Sequence, residues 1–473
     1  MKIIHLSVEC YPVAKVGGLA DVVGSLPKYQ RKLGMDASVV MPWYNRPFIN
    51  DSNLLEVYSG EFYQGSELLK FTIYKEANDA LGFPLYLIKI PGKLDREEVY
   101  CYDDEAEQWI AFQHAFLKWI SSDEAIKPDV INCHDHHVGL IPFLLRNSVE
   151  YKELASIKTL FTVHNGQYQG WMNWNKGILL PQFDTWKWGL LDWDGLINPL
   201  AAAIKCCDAY STVSEGYLQE LFDDANGLQD LFRHEQAKSY GIVNGIDTIY
   251  WNPEIDKYVQ EHYSSDSVKT GKQVNKNLFC QKYKLNPDYP LITFIGRFAI
   301  EKGADYLAGF LDNFLLDGTQ EVSVFILGSG DQNIKEEIEK VYLKYPKTVN
   351  VHFGYNESLA HEVYAAADMI IMPSRVEPCG LNQLYALKYG TIPIVRGIGG
   401  LKDTVIDISQ NGGYGIVFEN LEIQEIIDAV KRGLKLYKEE IIWDKTRARA
   451  MELDFSWDKS AKKYIELYNQ LLK

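Results

Sequence analysis

Glu377 is a carboxylate set where a strand gives way to a helix. The apolar run Met369-Ile370-Ile371-Met372 ends at Pro373, and Ser374 to Cys379 form a loop. Gly380-Leu381 then opens a stretch with Leu384, Leu387 and Lys388 at helical spacing, closed by Gly390. The first N–H groups of a helix have no partner inside it, so the backbone at Gly380 and Leu381 is suited to an anion, above all a phosphate. A carboxylate beside an anion site needs something cationic between them. A sugar ring with a diphosphate leaving group fits that gap. The plainer alternative is a carboxylate that only stabilises a helix N-terminus.

Cations stand at comparable places. In Gly296-Arg297-Phe298-Ala299-Ile300-Glu301-Lys302-Gly303, Arg297 ends a strand and Lys302 follows five residues on, just before a helix. Arg offers a fork to phosphate oxygens and Lys a point charge. The alternative is a helix-flanking pair of Lys302 with Glu301 or Asp305. Lys15-Val16-Gly17-Gly18 sets a cation beside bare backbone that a phosphate could approach closely. It matches neither the dinucleotide fingerprint nor a Walker loop. His164, at the end of the strand Thr159 to Val163, heads His164-Asn165-Gly166. His134-Asp135-His136-His137 suggests a metal at first sight, but neighbours on a strand face opposite ways and no His-x-x-x-His pattern is present. Asp135 is therefore expected to touch substrate, with the histidines as its neighbours and no metal.

The elements that must position these groups form two α/β series. The first has strands at Ile3 to Val8, Ala37 to Met41, Leu85 to Ile88, Val130-Ile131, Thr159 to Val163, Ala209 to Val213 and Gly241 to Val243. Helices run from about Asp21 to Leu33 and over Glu105 to Ile120, where Trp109, Phe112, Phe116 and Trp119 form a stripe assigned to the core. The second has strands at Leu291 to Ile295, Val322 to Leu327, Val349 to Phe353, Met369 to Met372 and Ile392 to Val395. A polar stretch near 246–290, with a short helix Lys276 to Tyr283, is expected as a connector. Gly17-Gly18-Leu19-Ala20-Asp21-Val22-Val23 and Gly399-Gly400-Leu401-Lys402-Asp403-Thr404-Val405 share Gly-Gly-Leu-x-Asp-x-Val. Either two ligand loops or two ordinary tight turns would produce that echo.

The chain of 473 residues, with 48 Lys and Arg against 64 Asp and Glu, has a net charge of −16. That sets nucleic acid and anionic membranes aside as main partners. The 30 Tyr and 11 Trp supply flat faces suited to sugars, although most buried rings are core. Seven scattered Cys fit reduced thiols and a cytoplasmic protein. The start, Met1-Lys2-Ile3-Ile4-His5-Leu6-Ser7, is too short and polar for a signal peptide, and no run of apolar residues is long enough to span a membrane.

Taken together, seven motifs in order resemble the bacterial-type glycogen and starch synthases, the retaining glucosyltransferases of glycosyltransferase family 5. They are Lys15-Val16-Gly17-Gly18-Leu19-Ala20-Asp21-Val22, His164-Asn165, Asn244-Gly245-Ile246-Asp247, Gly296-Arg297 with Lys302-Gly303, Glu377-Pro378-Cys379-Gly380-Leu381, Gly399-Gly400-Leu401 and Asp454-Phe455-Ser456-Trp457. The resemblance implies a GT-B fold, two Rossmann-like doubly wound α/β domains facing across a cleft. It divides the chain into 1–245, an acceptor and catalytic domain; 246–290, a connector; 291–455, a nucleotide-sugar domain; and 456–473, a helix crossing back to the first domain.

The resemblance implies transfer of glucose from a nucleotide-glucose, ADP-glucose first, to the non-reducing end of an α-1,4-glucan such as glycogen or a maltooligosaccharide, with retention and without a metal or other cofactor. UDP-glucose as donor, another GT-B activity such as sucrose synthesis, and an inactive glucan-binding protein are the alternatives. By the same resemblance, Glu377, His164, Arg297 and Lys302 are catalytic, with Arg297 and Lys302 neutralising the departing diphosphate. Lys15, Gly17, Gly18, Gly380 and Leu381 hold its phosphates, and Tyr355 stacks the base. Asp135, Asn244 and Cys379 line the glucose with Glu377 and His164. Glu301 stands where the family commonly has Gln.

Overall fold

The structure is a computed structural model that describes residues 1–473 apart from 317 and 319. The chain divides into two compact units, Met1–Gly245 with Trp457–Lys473, and Ile246–Ser456. Strands of the first unit are β1 (Lys2–Leu6), β2 (Asp36–Pro42), β3 (Leu54–Gln64), β4 (Glu67–Glu76), β5 (Leu85–Lys89), β6 (Val130–His134), β7 (Lys158–Val163), β8 (Asp192–Trp193), β9 (Leu196–Ile197), β10 (Ala209–Thr212) and β11 (Ser239–Gly241). Those of the second are β12 (Leu291–Phe298), β13 (Ser323–Gly330), β14 (Val349–Phe353), β15 (Met369–Met372), β16 (Ile392–Arg396) and β17 (Ile416–Phe418).

The first unit holds a nine-stranded sheet in the order β11-β10-β7-β6-β1-β2-β5-β4-β3, while β8 and β9 form a separate hairpin. It is parallel from β11 to β5 and antiparallel where β5, β4 and β3 pair. The second unit is wholly parallel, β14-β13-β12-β15-β16-β17. Uninterrupted apolar runs such as Ile3-Ile4 and Met369 to Met372 are buried on both faces, as parallel strands covered by helices must be. Strand order reverses at β1, between β2 and β6, and at β12, between β13 and β15. In an open α/β sheet these switch points leave a crevice at the carboxyl ends of the strands. The loop after β1 carries Lys15, and the residue after β6 is Asp135. Arg297 lies at the end of β12, and Glu377 is in the loop after β15.

The expected aromatic stripe is core, with Trp109, Phe112, Phe116 and Trp119 buried in the helix Glu105–Ser121. The last helix, Trp457–Leu471, buries Trp457, Ala461, Tyr464, Leu467 and Tyr468 against Ile3, Val22, Leu26 and Tyr29 of the first unit. Each large side chain so covered contributes about 1.5–3 kcal/mol.

The stretch 246–290 corrects the sequence reading. It is part of the second unit rather than a connector, and its helix is longer than expected, Val268–Tyr283. Its Lys residues look solvent-seeking, yet Lys272 is buried, with Nζ donating to Tyr364 O at 2.8 Å, Tyr389 O at 3.0 Å and Thr391 Oγ1 at 2.8 Å. Lys276, also buried, pairs with Asp368 at 2.7 Å. Hydrogen-bonded lysines can enter a core, and a hydrophobic pattern does not register them. Three further differences are smaller. The helix after the Lys15 loop starts at Gly18, β11 lies two residues earlier than expected, and the hairpin β3–β4 was not foreseen.

Candidate active site

In the second unit, close backbone approach fixes the charged groups. Gly303 has φ +65°, and a Cβ there would lie 1.9 Å from Pro373 O, so only glycine lets the segment after β12 press against the end of β15. Its neighbour Lys302 thereby reaches Glu377, with Nζ 2.7 Å from Oε1. Ser374 Oγ donates to the other oxygen, Oε2, at 2.9 Å. Glu377 is buried, and both of its carboxylate oxygens are occupied. Its own carbonyl accepts from Gly400 N at 3.0 Å. A Cβ on Gly400 would lie 2.1 Å from Cys379 O, so the second Gly-Gly loop braces the Glu377 loop.

Further bonds tie the two loops together. The N–H groups of Arg375 and Val376 donate to Glu301 O at 2.8 and 3.1 Å, and Arg375 forks onto Asp305 at 2.7 Å through each nitrogen. Arg297 is paired with Glu301. The helix begins at Asn382, two residues later than expected, because Asn382 donates back to Ile295 O at 2.6 Å and turns the chain there. Among the described residues the N–H groups of Gly380 and Leu381 have no partner. Cys379 is buried beside them. Tyr355, beyond β14, is 72% exposed, with its hydroxyl donating to Glu357 at 2.8 Å.

In the first unit, burial pushes the groups at the ends of β6 and β7 towards neutrality. Asp135 follows β6 with φ +62°, an uncommon conformation for a non-glycine residue, held by its N–H on Thr162 O at 3.0 Å. Its Oδ1 accepts from His164 N at 2.7 Å, so the carboxylate fixes the backbone of the other strand end. Burial pushes the Asp135 carboxyl up to about 7, against the lowering effect of the His164 and Asn165 N–H groups. His164 is buried and pushed down to about 3 by desolvation. Its Nε2 lies 2.9 Å from His134 Nδ1, so His134 is a direct partner of His164 rather than a bystander. Asn244 is buried with its Oδ1 unpartnered, an orphan acceptor that a ligand hydroxyl would satisfy.

The Lys15 loop departs from expectation. The N–H groups of Val16 and Gly17 donate to Glu9 Oε2 at 2.6 and 3.0 Å, so a carboxylate of this chain already fills the place foreseen for phosphate oxygens. Tyr100 donates to the other Glu9 oxygen at 2.6 Å. Lys15 is paired with Asp21 at 2.7 Å. A Cβ on Gly17 or Gly18 would meet nothing within 4 Å, so the outer side of the loop is open. Among the described residues no group of three His, Cys, Asp or Glu could hold a metal ion.

Sequence reasoning missed Glu9, Ser374, His5 and Gln30. The one available signal was polarity: His5 in β1, and Asn132 and His134 in β6, are polar residues in buried central strands.

Comparison with known proteins agrees with the fold. Residues 2–234 match the starch synthase catalytic domain and residues 275–449 the glycosyl transferases group 1 domain. The glycogen synthase of Flavobacterium johnsoniae is 46% identical, covering 100% of both chains. That of Geobacillus stearothermophilus is 34% identical over 100% of this chain and 98% of its own. Among solved structures, the catalytic domain of starch synthase IV from Arabidopsis thaliana, bound to ADP and acarbose, superposes with a TM-score of 0.89 at 30% identity, covering 100% of this chain and 99% of that one. A sucrose-phosphate synthase from Thermosynechococcus elongatus, at TM-score 0.65 and 18% identity over 99% and 98%, shares the fold. The chain belongs to the glycogen and starch synthase family of GT-B glycosyltransferases.

Proposed function

We propose that this glycogen synthase takes its glucose from ADP-glucose and adds it to the non-reducing end of an α-1,4-glucan, with Glu377, Lys302, Arg297 and His164 as its working residues. The observation that carries this is the Lys302–Glu377–Ser374 contact beside the unpartnered N–H groups of Gly380 and Leu381. It sets one cation on a carboxylate that lies three residues before two open backbone donors, all at the switch point of the second sheet. Starch synthase IV, bound to ADP and acarbose, supports an adenine nucleotide and an α-glucan as ligands.

Breaking the sugar–phosphate bond sends its electron pair to the diphosphate and leaves positive charge on the glucose ring. Lys302, Arg297 and the N–H groups of Gly380 and Leu381 stabilise the first charge, and a well-aimed donor supplies roughly 3 kcal/mol. Arg297 must exchange Glu301 for phosphate oxygens to do so. Lys15 and the open outer side of the loop at Gly17 and Gly18 carry further phosphate contacts, and the exposed Tyr355 stacks the base. Glu377, His164, Asp135, Asn244 and Cys379 line the glucose. Glu377 accepts two hydrogen bonds on a buried carboxylate, which makes it a poor nucleophile and a good electrostatic partner for the ring. Retention then follows from front-face attack: the acceptor hydroxyl bonds to the anomeric carbon as its proton passes to the leaving phosphate oxygen.

No described helix is long and apolar enough to cross a membrane. The test is a direct competition between labelled ADP-glucose and UDP-glucose on a maltooligosaccharide primer. Longer chains formed faster from ADP-glucose are expected, and preferential use of UDP-glucose would overturn the donor assignment.

A further inference from the structure

Beneath His164 runs a chain of polar side chains to which the reaction assigns no role. His5 on β1 and His134 on β6 are fully buried. Nε2 of His164 lies 2.9 Å from Nδ1 of His134, Nε2 of His134 lies 3.0 Å from Nδ1 of His5, and Nε2 of His5 lies 2.7 Å from Oε1 of Gln30. Gln30 is also fully buried, in the helix Gly18–Lys32. Its Nε2 donates to Tyr468 of the last helix at 3.3 Å, and Asn132 Nδ2 reaches the same hydroxyl at 2.9 Å. Asn132 Oδ1 in turn accepts from Thr162.

The polarity of this chain follows from donor counting. A neutral imidazole has one N–H and one lone pair. An amide oxygen only accepts, so His5 carries its proton on Nε2 and presents a bare Nδ1. His134 must then donate from Nε2 and is bare at Nδ1. His164 must donate from Nε2 in turn. A second proton on His5 or His134 would turn two N–H groups against each other. Desolvation works in the same sense, lowering His5 to about 4 and His134 well below its ordinary value. What remains is Nδ1 of His164, which has no partner among the described residues.

We propose that Gln30, His5 and His134 are positioning residues that hold His164 as its Nε2–H tautomer, so that Nδ1 offers a lone pair to one hydroxyl of the donor glucose. This rests on His164 lining the glucose. A ring nitrogen's role is set by the bond its partner nitrogen makes. Here that bond is anchored on the far side of two more rings. Without the amide, His164 would divide between tautomers, and one of them would turn an N–H towards a hydroxyl meant to donate.

The experiment combines imidazole proton–nitrogen correlation spectra of the full chain, labelled at histidine, with steady-state kinetics. Loss of signals in His164→Ala assigns the ring. In the unaltered protein His164 should show a protonated Nε2 and a bare Nδ1. Gln30→Met keeps the side-chain length and removes the acceptor; it should mix the tautomers and lower kcat about fivefold, within the worth of one neutral hydrogen bond, with the glucan KM unchanged. Gln30→Glu restores an acceptor and should restore both readouts. A protonated Nδ1 in the unaltered protein overturns the proposal. So does a Gln30→Met enzyme with unchanged tautomer, whatever its activity, since a purely structural chain would behave that way. Should Gln30→Met fail to fold, the spectrum of the unaltered protein still decides. Normal turnover in His164→Ala would instead remove His164 from the glucose site, an outcome separate from the tautomer itself.

Discussion

The switch points of the two sheets use opposite electrostatics. At the second, the cations are partly open and sit in ion pairs, Lys302 with the buried Glu377 and Arg297 with Glu301. At the first, desolvation drives His164, His134 and His5 towards neutrality, and Asp135 is pushed the same way. The difference matches two ligand chemistries. A diphosphate leaving group gains charge during reaction and is served by fixed cations. Sugar hydroxyls carry no charge and are served by oriented dipoles that cost little to keep dry. The charged side should therefore dominate turnover, and the neutral side should govern orientation and stability.

The sharpest way to break this comparison is at Lys302 and Glu377. Lys302→Ala and Glu377→Ala are each expected to lower kcat by roughly 100-fold or more, the scale of one electrostatic donor at a developing charge. Acceptor KM should change little in either. Near-normal turnover would remove the pair from the reaction and with it the contrast between the two sheets.

Asp135 tests the neutral side through stability. Its carboxyl has an ordinary value of 3.8 and rises to about 7 in the folded chain. Between those values the folded state holds a proton that the unfolded state releases. The stability linked to this group is therefore full below about pH 4, falls as pH rises to about 7, and is constant above. Asp135→Asn stays neutral and can still accept from His164 N. Thermal melts should show it matching the parent near pH 4 and exceeding it by about 2–4 kcal/mol at pH 8. A gap that does not widen with pH would mean that the carboxylate is stabilised in place. His164→Ala should cost less than Lys302→Ala, about tenfold in kcat, because it removes a neutral contact.

The charged side was the more legible of the two in the sequence. Arg297, Lys302 and Glu377 lie where an apolar run gives way to a helical repeat, so local spacing places them at strand ends. The neutral side depends on contacts between residues far apart in the chain. His5 meets His134 across 129 positions, and Gln30 meets Tyr468 across 438. No local pattern encodes such pairs, because each side chain alone looks like a polar intrusion in a buried element. Lys272 hid the core-facing side of the helix Val268–Tyr283 in the same way. Glu9 escaped notice because the donors it satisfies, the N–H groups of Val16 and Gly17, are backbone atoms that no residue type advertises.

The smallest expected effect lies within the charged side. Arg297 is more than half exposed and held by Glu301. Exposed ion pairs are worth about 0–1 kcal/mol, so releasing the guanidinium can improve diphosphate binding by at most about fivefold. Glu301→Gln leaves its backbone carbonyl free to accept from Arg375 and Val376 as before, so the loop bearing Glu377 should not move. The variant is expected to lower donor KM two- to fivefold by this reckoning, with kcat and acceptor KM near the parent values. A raised donor KM would reverse the sign of the argument. Glu301 would then aim Arg297 at the diphosphate instead of competing for it, and their pairing would be part of the assembled site.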